Sequence, residues 1–253
     1  MIKINKVSCP TELNDEVRQQ LTDTYIQSGT SVWKQKYIVE ALLDSSHSKC
    51  CYCECNVSEE SKYMEVEHFM DKNHYPDKVV EWDNLLPSCK RCNGNKSDHD
   101  VVSEPIINPA IIEPKEHLTM WAYRFRSKNG SVIGQNTIDV IQLNETHRLG
   151  LARFEIGEET HNQINILLDL TVEYCDGTAQ HTRRRNKIKS QIKALMREGC
   201  PTQEYSATVA TEINNSEEFS VVMDLFKGND LWDEEMDELY SEVCKSALEI
   251  SIR

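Results

Sequence analysis

The residues of this chain best suited to chemistry are four cysteines at two C-x2-C spacings, Cys50 and Cys53 in the run KCCYCE and Cys89 and Cys92 in PSCKRCNGNK. Two such knuckles supply the four thiolates of a tetrahedral structural zinc site, which keeps no open coordination position. A plain zinc ribbon separates its knuckles by roughly 15–20 residues. Here 35 residues lie between Cys53 and Cys89, room for a strand, a connection and a second strand. Inside that span stand Glu67 and His68, then Asn84, and Asn93 directly follows the last cysteine. Cys51 and Cys55 compete as ligands, but the symmetry of two C-x2-C pairs favours Cys50 and Cys53. A histidine beside a glutamate carries little information alone, and two knuckles alone describe a structural zinc module. An acid–His pair, a middle Asn and an Asn after the second knuckle, in that order, make a nuclease constellation.

The elements that must position these groups are legible in outline. A helix over 11–25 and another over about 32–44 lead to the first knuckle, the second bringing Trp33, Tyr37 and Leu42 near one face. Residues 62–68 alternate as a strand ending at the acid–His pair, and 74–77 read as a loop. Residues 81–86 lead into the second knuckle, where Ser88 is placed to cap a short helix carrying Cys92, Asn93 and Lys96. Pro105, Pro109 and Pro114 mark a connection. A hairpin is expected from 119–126 to 131–134 around Asn129-Gly130. From Glu145 onward the pattern is helical: about 145–175, 180–198, shorter helices, then 230–250.

Composition narrows the class. No apolar run approaches the ~20 residues of a membrane span, and the N-terminal MIKINKVSCP lacks a signal-like apolar region. Ten cysteines without a secretory signal fit zinc in a reducing, cytoplasmic location better than a disulfide framework. Cys9, Cys175, Cys200 and Cys244 are scattered singly and read as ordinary small residues. The net charge is −14, unfavourable for a chain that must approach phosphates unaided. Residues 201–253 hold thirteen acidic and three basic residues, whereas 180–200 hold seven basic residues and Glu198 alone. Arg183, Arg184, Arg185 and Lys187 could form a phosphate track or a solvated helix face.

The stretch from Lys49 to about Asp98 resembles the HNH (ββα-metal) endonucleases with an added zinc site. Ala-Tyr-Arg-Phe-Arg at 122–126, Thr-Ile-Asp-Val-Ile-Gln-Leu-Asn at 137–144, and Arg153 resemble the PtuB-type nuclease subunit of Septu-like and retron-associated antiphage systems. The resemblance implies an α+β, mostly helical fold. In it a zinc-bearing ββα-metal module (49–104) follows an N-terminal helical segment (1–48) and precedes a region (115–253) with a hairpin and a helical extension for partner or substrate binding. It also implies roles. Glu67 and Asn93 hold a catalytic Mg²⁺ or Mn²⁺, and His68 is the general base. Asn84 ties the loop of the ββ turn, and Lys96 contacts a phosphate. The four thiolates carry the structural zinc.

The implied partners are a PtuA-type ATPase, nucleic acid (DNA first, RNA or tRNA as the rival), and a retron reverse transcriptase with its non-coding nucleic acid, reached through the ATPase. No G-x4-G-K-[ST] loop occurs in the chain, so ATP falls to the partner. A rival of another class is a catalytically silent zinc adaptor. His74 and His99 are surface histidines or auxiliary contacts. Leu231, Trp232, Met236, Leu239 and Tyr240 amid acids at 230–238 suit either an acid-rimmed docking helix or one packed on its own domain.

Overall fold

In this computed structural model, residues 1–58 and 63–251 are described, and the expected strand start at Lys62 lies outside them. The chain forms two compact units: Met1–Leu118 with Arg126–Asn144, and Thr119–Phe125 with Glu145–Arg253. Among the described residues it is a mostly helical α+β protein with two small two-stranded sheets. No helix is long and apolar enough to cross a membrane.

In the first unit, α1 (Asp15–Ser28) starts where the Asn14 side chain accepts from the Val17 amide. It ends at Gly29, whose positive φ closes the last turn. The helix begins later than expected because Pro10 and Thr11 occupy a turn and Asn14 is the residue that caps. Helix α2 (Lys36–Ser46) buries Ile38 and Leu42 against Val66, Val79, Val80, Trp82 and Leu85. Strands β1 (Met64–His68) and β2 (Leu85–Cys89) pair antiparallel, with Met64 opposite Cys89 and His68 opposite Leu85. Helix α3 (Lys90–Lys96) follows at once, and its cap is the Cys89 sulfur, not Ser88. Sulfur at the N-cap takes the Cys92 amide because the knuckle turns the chain back onto its own ligand.

The expected hairpin around Asn129-Gly130 is corrected. Strands β3 (Leu118–Trp121) and β4 (Arg124–Ser127) turn instead at Ala122-Tyr123, both at positive φ. Such a conformation in non-glycine residues must be held from outside the turn. Arg153 Nε donates to the Tyr123 carbonyl at 2.9 Å, and the Tyr123 ring lies against Gly157, where an added Cβ would come within 2.1 Å of it. Residues 131–134 are not a strand. Ser131 caps α4 (Val132–Ile141) by accepting from the Gly134 amide. In the first unit α4 packs on α3, with Asn95 Nδ2 donating to the Ile141 carbonyl at 2.9 Å.

The second unit is built from α5 (Leu151–Cys175), α6 (Thr182–Glu198), α7 (Ser206–Asn215), α8 (Glu217–Gly228) and α9 (Glu234–Ser246). Ile164, Leu167, Ile188, Ile192, Met196, Phe219, Phe226 and Met236 make its continuous apolar core. Leu231, Trp232, Leu239 and Tyr240 pack against that core, so the apolar stripe of the terminal helix serves its own unit. The acids beside it are also engaged. Asp233 meets Lys189 and Lys193 at 2.9 and 3.0 Å, and Glu235 meets Lys193 and Arg197 at 2.5 Å each. Asp233 and Glu235 are thus matched by α6 within the unit.

Candidate active site and zinc centre

The sulfurs of Cys50, Cys53, Cys89 and Cys92 lie within 4.8 Å of one another, three of the residues buried and Cys89 half-buried. Tetrahedral Zn–S bonds of about 2.3 Å place sulfurs about 3.8 Å apart, and the Cys53–Cys89 separation is 3.8 Å. The donor set therefore fits a structural zinc ion. The Cys92 amide at 3.4 Å from Cys89 Sγ and Arg91 Nη2 at 3.5 Å from Cys92 Sγ offset thiolate charge. Cys51, buried beside the cluster, belongs to the turn, its amide donating to the Pro87 carbonyl at 2.8 Å. Cys55 stays close, 3.4 Å from the Cys53 sulfur, as a fifth thiol next to the four.

Strand β1 carries the acids and the histidine, and alternation divides them between two faces. Glu65 and Glu67 face α3, where Asn93 Nδ2 donates to Glu65 Oε2 at 2.6 Å and Lys96 Nζ lies 2.8 Å from Glu67 Oε1. His68 points the other way, edge-on to Trp33 with ring centroids 4.7 Å apart. Its Nε2 sits 3.0 Å from the Val79 carbonyl. That acceptor fixes the proton on Nε2 and the lone pair on Nδ1, the tautomer of a base. Burial, with Lys72 adding, pushes the His68 pKa down to about 4, so the ring is neutral at pH 7.

Asn84 closes the ββ connection. Its Oδ1 accepts from the Met70 amide at 2.7 Å, and its Nδ2 donates to the Met70 and Lys78 carbonyls at 3.0 Å each. Two backbone strands of the loop are thereby tied by one side chain. Asp71, buried, shapes the same loop by accepting from the Asn73 and His74 amides, and it takes His74 Nδ1 at 3.1 Å. His99 is held by the Glu104 carbonyl at 2.7 Å. Neither histidine lines the cavity described next.

A cavity of about 520 Å³ in the first unit is lined by Trp33, Glu65, His68, Lys72 and Asn93 among others. Sequence reasoning anticipated His68 and Asn93 and missed Glu65, Lys72 and Trp33. The signal for Glu65 was present in the i, i+2 spacing of the two glutamates, which puts both on one strand face. Lys96 departs from its expected phosphate contact. It is 2% exposed, and its ammonium meets Glu67 and the His68 carbonyl, the latter at 2.8 Å. The Glu67 carboxyl is pushed up to about 7 by burial, against the pull of Lys96. Arg183, Arg184, Arg185 and Lys187 all stand on α6 of the second unit, outside this cavity. Arg184 is paired with Glu173, while Arg183 and Lys187 are exposed.

Comparison with characterised proteins now decides the family. The chain is 40% identical over 248 residues to the Septu protein PtuB of Bacillus thuringiensis, covering 98% of this chain and 95% of that protein. The chain belongs to the Septu PtuB family. A PtuB of Bacillus mycoides (strain KBAB4) is 28% identical over 145 residues, 44% of this chain and 48% of the relative. No family model matches the chain, and no solved structure matches it. The PtuB match spans the knuckles, the β1–β2 pair and the helical unit together, so it bears on the whole arrangement.

Proposed function

We propose that this PtuB-family chain is a zinc-stabilised, divalent-metal-dependent HNH-type endonuclease. In this reading it is the cytoplasmic nuclease effector of a Septu antiphage defence complex and works with a PtuA-type ATPase on DNA. The observation that carries the proposal is the pairing of His68 and Asn93 at one cavity of a knuckle–ββα arrangement. The His68 tautomer set by Val79 offers Nδ1 to a water proton. Proton abstraction by a positioned base of this kind contributes about 10²–10⁴-fold. A bound Mg²⁺ or Mn²⁺ supplies Lewis-acid stabilisation of charge on the scissile phosphate and the leaving oxygen. Asn93 is the chain's amide ligand toward that ion, and Asn84 holds the loop from 70 to 78 that carries Asp71 and Lys72. The Trp33 ring beside His68 keeps the imidazole oriented and drier than bulk water.

The net negative charge of the chain also fits this reading. A chain at −14 captures nucleic acid poorly alone, and a partner that delivers substrate removes that demand. The test is cleavage by the complex purified with its neighbouring ATPase, on plasmid DNA and on RNA, with Mg²⁺ or Mn²⁺. His68→Ala is expected to lower cleavage about 10²–10⁴-fold with zinc content unchanged. Cutting by that variant within a few-fold of wild type, or no cutting of either polymer by the wild-type complex, would sink the reading. RNA cleavage without DNA cleavage would move the substrate class and leave the site intact.

A further inference from the structure

We propose that the groove between α5 and α6 docks a basic amphipathic helix of a partner protein. The apolar side of that helix lies on the groove floor, and its lysines or arginines lie between two rims of glutamates. The proposal concerns the second unit alone and is independent of the nuclease reading.

The groove follows from side-chain spacing on two helices. Ile156 and Thr160 stand one turn apart on α5, and Leu195 stands on α6 one turn from both Gln191 and Glu198. Val209 of α7 adds to the same lining. Leu195 and Val209 are buried and Ile156 is half-buried. Ala194, beside them on α6, is exposed and carries only a methyl group, so this wall is low. The volume is about 600 Å³, within the roughly 300–1,000 Å³ of clefts that take up an apolar ligand.

Charge selects the occupant. Glu155 and Glu159 rim the groove from α5, Glu198 rims it from α6, and Glu204 rims it just before α7. None of the described residues lining it is a lysine or an arginine. The bases of α6 are committed elsewhere: Lys189, Lys193 and Arg197, spaced by four, meet Asp233 and Glu235 near the start of α9. Helix α6 therefore has a basic face satisfied inside the unit and a second face that meets the groove with an acid. Such a surface attracts a cationic partner and repels nucleic acid or an acidic protein.

Helical walls also select the form of the occupant. Backbone groups in the middle of α5 and α6 are paired within their own helices, so an extended segment finds no strand edge to join. A helix needs only side-chain contacts, and it offers anchors at i, i+3, i+4 and i+7. The lining residues run from 156 to 163 on α5 and from 191 to 198 on α6. Each run covers two turns, roughly 10 Å, which is the length of one such anchor set. Lysine stems of the occupant lie along apolar surface and carry their ammonium groups out to the rims. Buried anchors then supply most of the affinity, and the glutamates set the rate and direction of approach.

Fluorescence anisotropy with the full-length, zinc-loaded chain tests the proposal. The probe is a labelled peptide of about 18 residues, long enough to be helical, with leucine at i, i+3, i+4 and i+7 of each repeat and lysine elsewhere. A scrambled isomer keeps the same charge and loses the apolar stripe. The striped peptide is expected to bind about tenfold tighter than the scrambled one, or better, the scale of one anchor residue. Ala194→Trp fills the groove without altering charge and should weaken the striped peptide about tenfold or more. Glu155→Lys with Glu159→Lys should weaken it by a similar factor. Asp224→Lys with Glu238→Lys makes the same change of charge outside the groove and should leave binding within about twofold, since salt screens distant charges. Melting curves verify each fold, and the double variants carry the test if the tryptophan variant does not fold. Equal binding of the two peptides overturns the proposal, as does no binding at all. Wild-type affinity in a folded Ala194→Trp, or an equal loss in the two double variants, overturns it as well.

Discussion

The zinc-bearing unit and the helical unit solve the problem of cohesion in opposite ways. The helical unit has a conventional interior, with Ile188, Ile192, Met196, Phe219, Val222, Phe226 and Met236 all fully buried. Its charged groups pair near the surface, as Asp233 and Glu235 do with Lys189, Lys193 and Arg197. The zinc-bearing unit also has an apolar cluster, but it buries Glu67, His68, Asp71, Asn84, Ser88 and Lys96 as well. Buried polar and charged groups cost free energy unless each is matched. A unit that carries its chemistry inside therefore needs cohesion from another source, and a metal held by the four-cysteine cluster would provide it. The lesson is that buried acids, a buried histidine and a four-cysteine cluster go together in one unit, while the other, whose buried polar groups are Arg153 and hydroxyls such as Thr171, Thr208 and Thr211, holds itself mainly by packing.

The contrast is most easily broken through the metal. Cys92→Ser is expected to lose the zinc and, with it, the order of the β1–β2 unit, since structural zinc contributes on the order of 10 kcal/mol or more. The helical unit should survive in the same chain. Metal analysis with limited proteolysis checks this, and the outcome that defeats it is cleavage appearing first within 151–246. The converse change is Phe226→Ala, expected to destabilise the helical core by about 3–5 kcal/mol while zinc content stays at the wild-type level. Zinc loss in that variant would mean that the two units do not hold themselves separately.

The smallest effect sharpens the comparison by pH. Burial raises the Asp233 carboxyl, but hydrogen bonds from Lys189, Lys193 and the Met236 amide bring it down to about 2. A depressed carboxylate stabilises the fold above its unfolded pKa of about 3.9 and loses that contribution as pH falls toward the folded value. The pairs are about a third exposed, so screening limits them, and with the lost cap Asp233→Ala should cost about 1 kcal/mol. That deficit should vanish between about pH 4 and pH 2. Thiolates protonate as zinc departs, so acid should dismantle the zinc-bearing unit before the helical one. Circular dichroism alongside a zinc-release indicator gives the order, and simultaneous loss would contradict it.

Much of this was legible in the residues. The two C-x2-C pairs gave the ligand set, because tetrahedral thiolate geometry is local to each knuckle. The helices beyond Glu145 were visible from apolar spacing alone. The hairpin was misplaced because Asn129-Gly130 is the stronger local turn signal, whereas Ala122-Tyr123 adopts its turn only through Arg153 and Gly157, which lie some thirty residues on. Lys96 was read as a phosphate contact because a lysine near a nuclease motif suggests one. Its burial depends on the meeting of α3 with β1, which no local pattern encodes. The charge asymmetry between 180–200 and 201–253 was real, and part of it is matched within the unit, where Asp233 and Glu235 meet Lys189, Lys193 and Arg197. Which of Glu65 and Glu67 meets Asn93 is likewise a question of helix-to-strand register.

The pairing of Met64 with Cys89 ties the four-cysteine cluster to the register of the strands. Buried side chains on both strands and the Asn84 bonds across the 16-residue connection between His68 and Leu85 hold this register, and Cys89 adds a further constraint. A slip by one residue would turn every side chain of β1 to the opposite face, sending His68 toward α3 and the glutamates toward Trp33. Cys89 is both the last rung of that ladder and a member of the four-cysteine cluster, so any slipped pairing would pull its sulfur away from the other three. A metal held by that cluster would therefore act as an alignment mark for the strands, favouring the one register that also brings His68 to its station.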